Sequence, residues 1–133
     1  MVIAVANQKG GTGKSTTVLS LAYGLYGRGN KILVVDLDPQ CNASYALGID
    51  LLNVPTVYHV LRHEKEIREA IQPVRVGLDV LTGSLSLAGA DAEFTQTGRE
   101  YMLREMLEVV KGEYDYIIID DSPTLGIMVT NAL

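Results

Sequence analysis

Three short stretches of consecutive apolar residues stand out along the chain. They span Val2 to Ala6, Ile32 to Val35 and Tyr116 to Ile119, and they are rich in β-branched side chains. Uninterrupted apolar runs of this length are typical of strands that are buried on both faces of a parallel sheet. A weaker run of the same kind covers Leu78 to Leu81. The pattern therefore predicts three buried strands and a fourth, weaker one.

Segments with helical spacing separate these runs. One stretch runs from about Thr56 to Ile71. Two others place their apolar residues three or four positions apart, at Val18, Leu21, Ala22, Leu25 and Tyr26 and at Leu103, Met106, Leu107 and Val110. Because strands and helices alternate, we expect one α/β domain over residues 1–133, with a mostly parallel sheet flanked by helices and right-handed crossovers.

The composition narrows the class of protein. The 133 residues are 47% hydrophobic and 20% charged, which is ordinary for a globular domain, and no apolar run approaches the roughly 20 residues that span a bilayer. The apolar start has no basic leader, and a single cysteine, Cys41, cannot form an internal disulfide. A net charge of −5 with scattered Lys and Arg argues against a nucleic-acid surface in these residues. We expect a cytoplasmic protein that makes no membrane contact.

A glycine-rich loop follows the first strand and leads into a helix. Its residues are Gln8, Lys9, Gly10, Gly11, Thr12, Gly13, Lys14, Ser15 and Thr16. Glycines let successive backbone N–H groups point inward, and the N-terminus of the helix adds partial positive charge, so the segment predicts a phosphate-binding loop. Lys14 can reach the β- and γ-phosphates, and the Ser15 hydroxyl can ligate Mg²⁺. The alternative, a glycine turn with a solvated lysine, is disfavoured by the position between strand and helix.

Carboxylates follow the other two strong strands. Asp36 and Asp38 come after the second strand, before a turn at Pro39, and Asp120 follows the third. Open α/β sheets bind their ligands at the carboxyl ends of the strands. We therefore predict that Asp36 and Asp120 lie near a Mg²⁺ ion and that Asp38 positions a water molecule. Capping of the next helix is the alternative for the first pair.

The string from Lys9 to Thr16 resembles the deviant Walker A motif of the ParA and MinD superfamily of P-loop ATPases, and the resemblance implies that family's three-layer fold. In that family an additional lysine, matched by Lys9, reaches across a dimer interface to the nucleotide of the partner. The segment from Asp36 to Asn42 resembles the family's Asp-x-Asp-Pro-Gln-x-Asn switch, in which the second aspartate, matched by Asp38, orients the attacking water. The segment from Asp120 to Gly126 resembles the second switch.

Two residues depart from the family pattern. Cys41 stands where glycine is usual, and Asp121 stands where the family usually has no acidic residue. The resemblance assigns neither of them a role.

The resemblance implies ATP and Mg²⁺ as cofactors, with Lys9, Lys14 and Asp38 as catalytic residues. It also implies a slow ATPase that forms a homodimer on ATP, responds to a centromere-binding ParB-type protein, and acts in plasmid or chromosome segregation. Non-specific DNA binding and nucleoid association would come from a C-terminal part of the family fold. We interpret this chain as the N-terminal part, in which the strand from Val2 to Ala6 becomes an exposed edge of the sheet.

Other functions stay open. A MinD-type cell-division regulator shares the additional lysine, although the Asp-Pro-Gln string favours the partition branch, and a nucleotide-gated module without catalysis would share the loop. A relative of the nitrogenase iron protein would need cluster cysteines, of which only Cys41 exists. His59 and His63 lie four positions apart on a predicted helix, a spacing that can bind zinc, but no third ligand is evident. We therefore interpret residues 62–66 as a solvated helix face, with zinc binding as the minor alternative.

Overall fold

The computed structural model describes residues 1–5, 12–86 and 102–120, with the backbone alone for residues 12–15. Its strands form a sheet with the order β1-β5-β2-β4-β3. The strands are β1 (Val2–Val5), β2 (Ile32–Asp36), β3 (Ile71–Arg75), β4 (Leu78–Leu81) and β5 (Tyr116–Asp120). The helices are α1 (Thr12–Gly27), α2 (Asn42–Ala46), α3 (Val57–Leu61), α4 (Ile67–Ala70) and α5 (Met102–Glu108).

Four of the five described strands run parallel. β5 lies between β1 and β2, and β2 pairs on its other side with β4. The predicted α/β class with a mostly parallel sheet is confirmed, and so are the four predicted strands. β1 is an edge strand of the described sheet, as expected, and its four residues are only half-buried.

Strand β3 was not predicted. It pairs antiparallel with β4 through a turn in which Gly77 has φ 90°, and the register shifts between Pro73 and Arg75. Pro73 and Arg75 are exposed, and a short run that contains a proline gives only a weak strand signal. An edge strand tolerates Pro73 because one side of its backbone needs no partner strand.

The helix predicted from about Thr56 to Ile71 was wrong. The structure has two short helices there, α3 and α4, and Ile71 begins β3 instead of ending a helix. Five consecutive exposed polar residues, 62–66, separate the two helices, and His63 among them has φ 60°. This stretch offers no apolar side chain to bury, so tertiary packing does not hold it in a helix. No helix in the described part of the chain is both long and apolar enough to cross a bilayer.

Apolar residues pack on both faces of the sheet. Along β2, Ile32 and Val34 face one side and Leu33 and Val35 face the other, and all four are fully buried. The first face packs against α1 through Val18 and Ala22. The second face packs against α3, α4 and α5. This three-layer arrangement fixes the central strands, and with them the ends of β2 and β5 where the acidic residues lie.

Candidate functional site

The carboxyl end of the sheet brings together two of the predicted site residues. Asp36 ends β2 and Asp120 ends β5, and the two residues are direct partners in the parallel register. Val5, the last residue of β1, pairs with Asp120 on the other side. Both aspartates are fully buried. The structure therefore places two carboxylates at the edge of the sheet where a ligand of an α/β protein is expected.

The predicted phosphate-binding loop falls partly outside the described residues. Lys9, Gly10 and Gly11 lie outside them. Thr12, Gly13, Lys14 and Ser15 form the first turn of α1, and Thr16 is an exposed residue of the same helix. The first turn of a helix presents backbone N–H groups that have no partner within the helix, and it carries partial positive charge. The roles of the individual loop side chains stay predictions.

Asp36 is held by three hydrogen bonds. The Ser44 hydroxyl donates to its Oδ2 at 2.6 Å and the Ser44 N–H donates to the same oxygen at 2.9 Å, while the Asp38 N–H donates to Oδ1 at 3.0 Å. Ser44 lies in the first turn of α2, so Asp36 caps that helix. The capping alternative is therefore observed for Asp36, and its contact with a metal stays a prediction.

Burial raises the pKa of Asp36 to about 6. The hydrogen bonds from Ser44 and Asp38 oppose this rise, and the nearby negative charge of Asp120 adds to it. A cation beside the two carboxylates would favour their charged forms. Carboxylate oxygens are the ligands that Mg²⁺ prefers, and in phosphate-binding sites one or two of them commonly suffice. The donor set therefore fits Mg²⁺, although residues 1–5, 12–86 and 102–120 contain no group of three or more His, Cys, Asp or Glu that could hold a metal.

Asp38 lies in a tight, half-buried loop after β2. Its Oδ1 accepts a hydrogen bond from the Gln40 N–H at 2.9 Å, and its Oδ2 accepts one from the Asn42 side chain at 3.2 Å. Its backbone carbonyl accepts the N–H of Cys41 at 2.9 Å. The loop thus wraps its own polar groups around the aspartate. Asp38 is partly accessible at the same end of the sheet as Asp36, and its catalytic role stays a prediction.

Cys41 has a backbone conformation that explains why glycine is usual at this position in the family that the sequence resembles. Its φ of 59° and ψ of 31° lie in the left-handed region, which side chains with a Cβ rarely adopt. The thiol is fully buried, and burial together with Asp36 and Asp38 raises its pKa to about 12. A buried, protonated thiol is a poor nucleophile. The structure therefore gives Cys41 no chemical role in the site.

Sequence reasoning missed two residues that touch the site. Ser44 is fully buried against Asp36, and Gly83, just beyond β4, donates its N–H to the Ser44 hydroxyl at 3.0 Å. A Cβ added at Gly83 would lie 3.1 Å from the Asp36 Cγ and 3.0 Å from the Asp38 carbonyl oxygen. Gly83 could have been found, because it follows a parallel strand and so lies at the ligand end of the sheet. Ser44 gave no comparable signal.

His59 and His63 do not lie together on one helix, so the zinc alternative is not supported. His59 lies in α3, where its Nδ1 accepts the Thr56 N–H at 3.0 Å and so caps the helix. His63 lies beyond the end of α3, in a turn. The helical spacing that a zinc pair requires is therefore lost.

A cavity of about 190 Å³ lies elsewhere in the molecule. Its walls come from α3, α4, α5 and neighbouring residues, and they include none of the predicted site residues. We therefore assign this cavity no part in nucleotide binding.

The chain is similar to proteins of a known family. The model of the AAA_31 family, described as an AAA domain, matches residues 1–133. Over 135 residues the chain is 44% identical to the sporulation initiation inhibitor protein Soj of Bacillus subtilis, covering 99% of this chain and 53% of Soj. It is 42% identical to the chromosome partitioning protein ParA of Myxococcus xanthus, with 99% of this chain and 48% of that protein covered.

One solved structure has a sequence identity to this chain close to that of these two relatives. It is described as cobyrinic acid a,c-diamide synthase from Mycobacterium smegmatis with a bound ATP analogue and magnesium, and it has a TM-score of 0.88 and 41% sequence identity. The match covers 99% of this chain and 55% of that one. The chain thus spans about half the length of the proteins that it matches.

Proposed function

Because this chain belongs to the AAA_31 family of AAA domains, and within it to the ParA/MinD-type partition ATPases, we propose that it binds Mg·ATP, hydrolyses it slowly and acts in chromosome or plasmid partition. One observation carries the proposal. The fully buried Asp36 and Asp120 are paired in register at the carboxyl end of the sheet, where ligands bind in open α/β folds. Glycine-rich residues precede α1, whose first turn adds backbone donors for phosphate.

We assign separate roles in binding and hydrolysis to the residues of the site. Lys14 and the loop from Lys9 to Thr16 bind the phosphates, and Ser15 and Asp120 hold the metal. When bound, Mg²⁺ neutralises charge on the phosphate oxygens. Asp38 orients the water that attacks the γ-phosphate, so catalysis rests on positioning and charge stabilisation rather than on a covalent intermediate.

Partners follow from the family. We propose that ATP drives homodimer formation, with Lys9 reaching the nucleotide of the second subunit. A ParB-type centromere-binding protein would stimulate hydrolysis, and DNA would bind through parts of the family fold that this chain does not span. The name of the Myxococcus xanthus relative, a chromosome partitioning protein, supports this role.

Calorimetric titration with Mg·ATP tests the proposal. We expect binding to the wild type and to Lys65→Ala, which removes an exposed lysine from the turn before α4. We expect Lys14→Ala to bind at least about 10-fold more weakly, because it loses a charge-assisted contact with phosphate. Equal affinity in all three proteins would refute the phosphate-binding loop. No binding to the wild type would refute the function for this chain.

A second candidate is a nucleotide-gated module that does not turn ATP over. Both oxygens of Asp38 accept hydrogen bonds from its own loop, from Gln40 and Asn42, and these contacts compete with holding a water molecule. Phosphate release separates the two functions. If the chain is an ATPase, Asp38→Asn should bind ATP as the wild type does and hydrolyse it about 100-fold more slowly. Binding without hydrolysis in the wild type would favour the module.

A further inference from the structure

Ser44 joins three elements at the carboxyl end of the sheet. It lies in α2, donates its hydroxyl to Asp36 at the end of β2, and accepts the N–H of Gly83, just beyond β4. Its side chain is fully buried. A hydroxyl can donate and accept at the same time, and here both capacities are used by protein groups.

The two oxygens of Asp36 have separate partners. Oδ2 receives both hydrogen bonds from Ser44, at 2.6 and 2.9 Å, and Oδ1 receives the N–H of Asp38 at 3.0 Å. Because the carboxylate is planar and rigid, fixing Oδ2 also fixes Oδ1. The orientation that Ser44 imposes on Asp36 therefore reaches the backbone of Asp38, the residue that we propose positions water.

Gly83 closes the arrangement from the other side. A Cβ at this position would come within 3.2 Å of the Asp36 carbonyl oxygen and within 3.0 Å of the Asp38 carbonyl oxygen. The end of β4 thus packs directly against the backbone of the loop. Movement of Asp38 away from the sheet would require the loop to leave both Gly83 and the Asp36 carboxylate.

We infer that Ser44 is a positioning residue, which acts through the Asp36 carboxylate to fix the backbone of Asp38. The catalytic consequence rests on the proposed function, since it requires that Asp38 orient the attacking water. The placement of the Asp38 backbone is argued from protein contacts alone and can be tested without ATP. Asp36 accordingly serves as the connection between Ser44 and Asp38.

Amide hydrogen exchange tests the placement on the nucleotide-free protein. In Ser44→Ala, exchange at the Asp38 N–H should rise by about 10-fold or more relative to the Ile118 N–H in the buried strand β5. Ser44→Thr, which keeps the hydroxyl, should restore protection, and Ser20→Ala, which changes an exposed serine of α1, should leave it unchanged. Unchanged exchange at Asp38 in Ser44→Ala would overturn the inference. If Ser44→Thr does not fold, the contrast between the two alanine variants decides it.

Steady-state hydrolysis of Mg·ATP tests the catalytic consequence. Ser44→Ala should lower kcat by about 10- to 100-fold and leave KM within about threefold, because geometry is lost and phosphate binding is not. A parallel rise in KM would show a general structural role and contradict positioning. If Ser44→Ala shows faster exchange at the Asp38 N–H but keeps the wild-type kcat, the positioning role is contradicted as well. An inactive wild type would refute the proposed function instead, and hydrogen exchange would then decide the role of Ser44 alone.

Discussion

The two ends of the parallel sheet treat aspartates in opposite ways. At the carboxyl end, Asp36 and Asp120 are fully buried, side by side, with like charge. At the amino end, Asp115 is exposed and accepts the Lys31 N–H at 2.7 Å, and Asp79 accepts the Tyr114 hydroxyl at 2.7 Å. At the amino end Asp115 is therefore solvated and Asp79 is only half-buried, and neither lies beside a second buried acid in the register of the strands.

This difference in burial distinguishes the carboxyl end, where we propose the functional site, from the amino end. Burying two carboxylates beside each other is unfavourable in an isolated fold, and a fold keeps such an arrangement only where neighbouring donors or a bound cation offset the cost. Three donors offset it at Asp36. The amino end needs no such set of donors, because Asp115 is solvated and the half-buried Asp79 meets the Tyr114 hydroxyl.

Removing one acid from each end should give the largest contrast. Asp36→Ala leaves three donors without their acceptor, two of them on the buried Ser44, and should lower the free energy of unfolding by about 3 kcal/mol or more. Asp115→Ala is the matched control, because it removes one exposed acceptor and should cost about 1 kcal/mol or less. Urea unfolding of the three proteins measures both values. Similar losses would show that the two ends do not differ.

The contribution of Asp36 to the free energy of unfolding should depend on pH in the mildly acidic range. The pKa of Asp36 is about 6 in the folded protein, against 3.8 for an ordinary aspartate. The folded state therefore binds the proton more tightly, so Asp36 contributes stability below pH 4 that is lost as the pH rises to about 6, by about 3 kcal/mol in total. Unfolding free energies of the wild type and Asp36→Asn between pH 4 and 7 isolate this contribution. A difference between them that does not vary with pH would contradict it.

Two glycines offer a smaller test. Gly83→Ala places a Cβ against the backbone of Asp36 and Asp38 and should destabilise the protein by about 2 kcal/mol. Gly24→Ala meets nothing within 4 Å in α1 and should instead stabilise it by up to about 1 kcal/mol through helix propensity. Thermal unfolding compares them. Equal shifts in Tm would mean that the loop yields to the added methyl group.

The smallest expected effect is at Cys41. Cys41→Gly relieves the left-handed backbone, which is worth about 1 to 2 kcal/mol, and loses buried side-chain contacts and unfolded-state order of similar size. The net change should lie within about 1 kcal/mol of zero in urea unfolding. A loss above about 2 kcal/mol would show that the buried thiol matters more than the backbone conformation.

The four parallel strands were predictable from the sequence, and the antiparallel edge strand β3 was not. β2 and β5 are buried on both faces, so nearly all of their residues must be apolar, and this produces the uninterrupted apolar runs that predicted them. β3 was not predicted, because an edge strand does not require continuous apolar residues and tolerates Pro73. The break between α3 and α4 was not predicted, because apolar residues recur at helical spacing on both sides of it. The polar residues 62–66 between them have nothing to pack against, so the helix does not continue through them.

The candidate site was predictable where chemistry restricts the residue type. Asp36 and Asp120 were placed at one edge because parallel strands end together, and the structure confirms that they meet. Ser44 was not foreseen, because its partner lies eight positions earlier and becomes adjacent only when the loop turns back at Pro39. Capping of α2 by Asp36 was foreseen only as an alternative, since sequence spacing does not show which donors a carboxylate will meet.

The thiol of Cys41 gives the molecule an internal reporter. It is the only sulfhydryl of the chain, and its burial and raised pKa keep it unreactive while the loop around Asp38 is closed. A thiol-specific dye can therefore modify the native protein only during the moments when that loop opens. The rate of labelling therefore reports how often that loop opens, without any engineered label.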